Sequence, residues 1–199
     1  MNQPMTRATA LAAFVSNRHE TSHPDLSGRN LQGTDLSGVS FEEVYANSTN
    51  FTAANLEGAS FDNADLFEAA FVDANLRAAS FIFADCTNAD FTGADLRGVN
   101  FDYANLTAAA GVLSITGLIA TNTVTYPTCD GWMLQIGKHV GVVSEFRAVL
   151  EAGVPDARLD GAGFRDDYEA RALLDLCDVW AHSRPDLLAA VQKWGTVTD

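Results

Sequence analysis

The segment His19-Glu20-Thr21-Ser22-His23 fits the pattern H-E-x-x-H. On a helix that spacing sets two imidazoles on one face to bind Zn²⁺, with the glutamate as general base. Here Pro24 follows at once and Thr21 and Ser22 are weak helix formers, so the stretch reads as a linker. No third ligand accompanies it, and neither a metal nor a cofactor is expected. The three cysteines, Cys86, Cys129 and Cys177, are far apart and form no Cys-x-x-Cys pair. Cys86 and Cys177 sit among apolar residues and read as small core side chains; Cys129 falls in a turn. Lys138-His139 reads as the exposed end of a hairpin. The chain has no phosphate-binding G-x-x-x-x-G-K loop, no G-x-G-x-x-G after a strand and no G-x-S-x-G elbow. No catalytic residue can be named, and the expectation is a protein that is not an enzyme.

The remaining chemistry is charge. The 199 residues hold 26 acids against 12 bases, a formal net charge of −14. That excludes a phosphate-reading surface built on clustered Lys and Arg, and it disfavours an anionic membrane surface. An acidic excess serves solubility, or imitates a polyanion for a partner that grips one. No apolar run reaches transmembrane length, and the first 18 residues lack the long apolar segment of a secretory leader. An odd cysteine count without pairing fits a reducing compartment, so a cytoplasmic location is expected.

The elements that carry this charge are set by a repeat. From Pro24 to Ala108 the chain reads in fives, as in Ala54-Asn55-Leu56-Glu57-Gly58 and Ala94-Asp95-Leu96-Arg97-Gly98. Taking the middle residue as the centre, centres fall at every fifth position from 26 to 106, giving 17 units without an insertion. Fifteen are Leu or Phe; the exceptions are Ala46 and Cys86. Two residues earlier stands a small residue, Ala at ten positions and Val at three, and the residue just before the centre is mostly Asp, Asn or Ser. Five is neither the helical nor the strand period, but two apolar residues two apart share one face of an extended segment. A chain that turns a corner every five residues closes a square coil in 20, and such coils stack about 4.8 Å apart. Phe occupies centres 41, 61, 81 and 101, one column, and 51, 71 and 91, the opposite column; Leu dominates the other two.

These units resemble the pentapeptide-repeat family, whose pattern is A(D/N)LXX. The resemblance covers residues 24–108 and implies a right-handed quadrilateral β-helix. Around it, Thr6–Ser16 reads as a short helix with Leu11, Phe14 and Val15 as its stripe, an N-terminal cap for the open coil. The expected organisation is therefore an N-terminal helix and linker over 1–23, the β-helix over 24–108 and a small α+β module over 109–199. In that module Thr121–Tyr126 alternates like a strand, Cys129-Asp130-Gly131 turns, and Trp132–Ile136 returns. Ser144–Ala152, Tyr168–His182 and Pro185–Trp194 read as helices. Ala172, Leu173, Leu176, Cys177, Val179 and Trp180 form the expected apolar face of the second. The run Asp130-Gly131-Trp132-Met133-Leu134-Gln135-Ile136-Gly137, followed by Ser144–Leu150, resembles a C-terminal extension on some phage and actinobacterial members, with Lys138 where relatives usually have Cys. That implies a bacterial or phage-encoded protein and assigns no chemistry.

The rod segment holds 13 acids and three bases, Arg29, Arg77 and Arg97. Sorted by the 20-residue register, one face carries Glu42, Glu43, Asp62 and Asp102, and the next Asp25, Asp65, Glu68 and Asp85, with no base. The same two faces show Tyr45, Phe67, Ile82, Phe83 and Tyr103, with Phe83 and Tyr103 one coil apart. On a third face Glu57 stands in column with Arg77 and Arg97, placed to neutralise Arg77. The candidate partner-binding residues are Glu42, Glu43, Asp62, Asp65, Glu68, Asp85, Asp102, Phe67, Phe83 and Tyr103; the alternative is that the acids before each centre only cap turns.

Some family members inhibit or protect DNA gyrase by presenting an acidic rod of duplex girth. The resemblance thus implies a partner with a basic DNA-binding groove, gyrase or another DNA-handling enzyme such as a host nuclease. Seventeen units make about four coils, roughly 20 Å, or about six base pairs, and the rod lacks the projecting loop of many gyrase-directed members. The alternative is an assembly module, the rod a rigid spacer and the C-terminal module the contact. Homodimerisation through the C-terminal helices is expected from Trp180, Leu187, Leu188 and Trp194. Reversing Glu42, Glu43, Asp62 and Asp65 to Lys is expected to spare the fold, since none points inward.

Overall fold

The structure, a computed structural model, describes residues 6–16, 23–115, 123–128, 130–136, 139–152 and 167–196. His19, Glu20, Cys129 and Lys138 lie outside them. The chain divides into two compact units, Met1–Gly111 and Val112–Asp199.

The first unit is built by the repeat. Isolated parallel bridges join each residue before a centre to its equivalent 20 residues on, from Asp25↔Tyr45 to Asp90↔Ala110, in four columns. All 17 centres are buried, the most exposed being Leu106 at 4%. Rings in the two Phe columns stack at 5.0 to 5.3 Å, and the two columns meet edge-to-face across the core, as Phe61 and Phe71 do at 5.5 Å. Offset and edge contacts of this kind add to plain burial.

Each five-residue side satisfies its backbone N–H groups in a fixed way. In the unit centred on Cys86, Cys86 N donates to Asn105 O (2.8 Å), Asn88 N to Thr107 O (2.9 Å) and Asp90 N to Ala69 O (2.9 Å). Ala89 N donates to Cys86 O (3.0 Å) and closes the β-turn at the corner. The fifth N–H, on Thr87, faces no backbone acceptor and donates to Asp85 Oδ1 at 3.0 Å. At least thirteen of the seventeen units make this side-chain bond. That is why Asp, Asn and Ser recur before the centre: the corner needs a short side-chain acceptor.

The second corner residue has positive φ in every unit, +53° to +73°. Six are glycine, while Glu43, Phe83 and Tyr103 are among the others. Such a turn favours Gly or Asn at this position. Gly111, at φ +85°, is tighter: a Cβ there would meet the Phe91 carbonyl carbon at 2.7 Å.

At the N-terminal end, α1 (Arg7–Ser16) brings Arg7 to the first coil. Its guanidinium donates to Asp35 O (2.9 Å) and Ser37 O (3.3 Å) and lies 3.5 Å from the Asp35 carboxylate. In later coils those two carbonyl positions accept from the coil below, so Arg7 replaces a missing neighbour on one side of the rod.

The second unit is a four-stranded antiparallel meander, β1 (Leu113–Ile115), β2 (Thr123–Thr128), β3 (Gly131–Ile136) and β4 (His139–Val142), followed by α2 (Val143–Ala152), α3 (Asp167–Ser183) and α4 (Pro185–Val191) with a 3-10 turn over Gln192–Thr196. Its core is Leu134, Ile136, Val143, Phe146, Leu150, Ala170, Leu173, Leu174 and Cys177. The strand expected to stop at Tyr126 runs on through Pro127, which pairs with Trp132. β1 pairs with β2 only up to Thr125, so Pro127 lies where no neighbour needs its missing N–H. On α3 the expected face is partly wrong. Leu173 and Cys177 are buried with Ala170 and Leu174, whereas Leu176 (43%) and Val179 (68%) are exposed. On α4, Leu187 and Val191 are buried within the module.

Candidate partner-binding surface

Where each acid stands in its five-residue unit decides what its carboxylate does. Asp65 and Asp85 precede centres and belong to the corner bonds: Asp65 accepts from Phe67 N and Asn47 Nδ2 (3.0 Å), Asp85 from Thr87 N, Thr87 Oγ1 and Asn105 Nδ2 (3.2 Å). Asp62, just after a centre, accepts from Ser80 Oγ and from Ile82 N (3.0 Å) in the next coil. Asp62 and Asp65 therefore staple coils together, and reversing them to Lys would remove fold-supporting acceptors. That corrects the expectation that all four reversals spare the fold.

Glu42, Glu43 and Glu68 are exposed. Ser60 Oγ donates to Glu42 at 3.4 Å, Ser48 Oγ to Glu68 at 3.3 Å, and His23 Nδ1 lies 3.2 Å from Glu43. Asp102 is half-buried in the same column as Glu42 and Asp62. His23, one end of the H-E-x-x-H segment, also meets the Tyr45 ring edge-on at 5.5 Å. Among the described residues no group of three or more metal-ligating side chains comes together.

Asp25 is held below the ordinary carboxylate value of 3.8, first by the Ser27 backbone N–H and last by Arg29 of the adjoining unit. One expectation about bases changes. Glu57 is bonded by Asn75 Nδ2 (3.2 Å), not by Arg77, while Arg97 pairs with its neighbour Asp95. Asp35 is likewise held low, first by the Ser37 N–H.

The aromatics stand as the register placed them. Tyr45 (45%), Phe67 (38%), Phe83 (58%) and Tyr103 (60%) are exposed, and Phe83 and Tyr103 stack with centroids 4.8 Å apart and 11° between planes. Cys86 is fully buried, which pushes its thiol up and leaves it no nucleophilic role. In the second unit a cavity of about 350 Å³, unsignalled in the sequence, is lined by Trp132, Asp178, Ala181, His182, Pro185 and Leu188.

A family model described as pentapeptide repeats matches in eight copies, over residues 25–58, 47–81 and 74–109. The repeat domain of this chain belongs to the pentapeptide-repeat family. A pentapeptide-repeat protein from the Arabidopsis thaliana thylakoid lumen is 35% identical, over 43% of this chain and 59% of its own, with a TM-score of 0.42. HetL, a pentapeptide-repeat protein involved in heterocyst differentiation regulation in the cyanobacterium Nostoc, is 22% identical over 48% of this chain and 41% of its own, TM-score 0.38. QnrB1, a plasmid-mediated fluoroquinolone resistance protein, is 24% identical over 43% of this chain and 47% of its own, TM-score 0.18. The chain thus spans less than two thirds of the length of each of these proteins. No curated protein matches it. None of its described helices is long and apolar enough to cross a membrane.

Proposed function

We propose that this pentapeptide-repeat protein binds another protein without catalysing a reaction, its acidic rod standing in for duplex DNA in the basic groove of a DNA-handling enzyme. DNA gyrase, another topoisomerase or a host nuclease fits that description. The carrying observation is the acidic surface of exposed Glu42, Glu43 and Glu68 with half-buried Asp102, on two adjacent faces whose repeat units hold no Lys or Arg. With the right-handed winding implied by the repeat, the rod offers duplex-like girth over about six base pairs. A homodimer through the C-terminal helices would bring two such rods to one partner; with Leu187 buried, Trp180, Leu188 and Trp194 are half-exposed. No cofactor is required, and the setting is bacterial or phage-encoded, in the cytoplasm.

The test is competition. Wild-type protein at micromolar concentration is expected to inhibit gyrase supercoiling, or to displace duplex DNA from a DNA-handling enzyme, less well at high salt. The variant Glu42→Lys/Glu43→Lys/Glu68→Lys/Asp102→Lys is expected to lose that effect. It leaves the coil staples at Asp62, Asp65 and Asp85 in place. No displacement of DNA from any such enzyme would sink the proposal.

The second reading makes the rod a rigid spacer and the C-terminal module the contact. The 350 Å³ cavity beside Trp132 and His182 favours giving the module a role of its own. Partner capture that survives the four reversals but is lost on filling this cavity with Ala181→Trp would establish it.

A further inference from the structure

Of the seventeen second-corner positions, only two hold large apolar side chains, Phe83 and Tyr103. Both sit at φ +59°, a conformation that bulky residues rarely adopt. Elsewhere the position holds Gly, Ala, Ser, Asn, Asp or Glu. The two rings lie 4.8 Å apart and nearly parallel, as closely stacked as the core phenylalanines, yet each is more than half exposed. Core stacking is explained by burial; this pair buries little and occupies strained backbone, and strain of that kind points to function.

The surroundings fix the chemistry of an occupant. The neighbouring column, one residue earlier in each unit, presents Glu42, Asp62, half-buried Ile82 and Asp102. Asp62 accepts from Ser80 and Ile82 and Glu42 from Ser60, and the carboxylates of this column, Asp102 nearest the rings in sequence, keep the strip beside the pair negative. A phosphate is repelled here, and so is a second copy of the same acidic face. A planar cation is attracted twice, by ring faces and by carboxylates. Lys brings a strongly hydrated point charge; Arg brings a flat, weakly hydrated fork that stacks.

We propose that Phe83 and Tyr103 are a stacking platform for an arginine guanidinium of the partner, with Asp102 beside it to receive guanidinium N–H groups. This rests on the binding reading above and names the partner side chain that the surface selects.

The experiment titrates full-length protein with labelled nona-arginine and nona-lysine peptides by fluorescence anisotropy. Wild type is expected to favour the arginine peptide. In Phe83→Gly/Tyr103→Gly that preference falls about threefold to fivefold, the size of an exposed cation–π contact, while lysine-peptide affinity holds. Glycine is at ease at this φ, so the melting temperature stays level or rises. Should the glycine pair fail to fold, Phe83→Asn/Tyr103→Asn replaces it, since Asn63 and Asn88 already adopt this conformation. An unchanged arginine-to-lysine ratio in the folded variant overturns the platform. Failure of wild type to displace DNA, with the ratio still sensitive to the rings, sinks the decoy reading and leaves the platform standing.

Discussion

In the rod, Asp85 accepts hydrogen bonds from the Thr87 backbone and from Asn105 one coil on, whereas in the C-terminal module Asp175 and Asp178 face the guanidinium of Arg147 at 3.0 and 2.6 Å. The first carboxylate completes the backbone accounting of a corner; the other two form ion pairs beside helices that already satisfy their own backbone. Asp85 thus serves the backbone in a way that Asp175 and Asp178 do not. Net charge counts both alike, which is why −14 overstates the charge free to meet a partner.

Truncating a core ring is the strongest way to compare the units. Phe71→Ala and Phe146→Ala are each expected to remove about 3–5 kcal/mol, read by hydrogen exchange in the unit concerned. In the rod, protection should be lost most in the flanking coils, because each coil touches only its neighbours; in the module it should be lost throughout. Uniform loss along the rod would break the contrast. Next comes Gly111→Ala, expected to cost about 1–3 kcal/mol or more through the clash with Phe91 backbone, against about 1 kcal/mol for Gly58→Ala, whose added Cβ meets nothing. Chemical denaturation separates the two.

Asp85→Ala against Asp175→Ala tests the division of labour itself. Losing a corner acceptor is expected to cost about 1–2 kcal/mol, and losing an exposed ion-pair partner under about 1 kcal/mol, with Asp85→Asn close to wild type. Equal costs would erase the distinction. The smallest effect is in acid. Asp25 and Asp35 titrate below 3.8 when folded, so their contribution is complete above that value and is lost as pH falls through their lowered pKa values. Asp35→Asn should flatten the acid limb of rod stability below about pH 4, slightly less stable than wild type at pH 7 and converging with it in acid.

The rod was legible because its period is rigid: every centre, both Phe columns and the Phe83–Tyr103 pair follow from counting in fives. The use of each acid was not, because the partners of Asp62 in the next coil, of Asp65 in its own coil and the one before, and of Glu68 in the one before exist only once the coils are stacked. The module was legible only in part. β1 and β4 are too short to show a period, and Pro127 hid the end of β2. Leu176 and Val179 fit a helical stripe that the sheet leaves uncovered. Arg7 gave no signal, since two carbonyls waiting on the first coil are visible only once that coil exists.

The 20-residue register has a consequence for how such a rod can change length. Core columns and surface columns share one phase. Inserting a single five-residue unit would advance everything beyond it by a quarter turn, setting Phe rings over Leu inside and separating Phe83 from Tyr103 outside. Twenty residues restore both. The molecule is therefore quantised in whole coils, and any relative that keeps this surface must differ from it by complete turns.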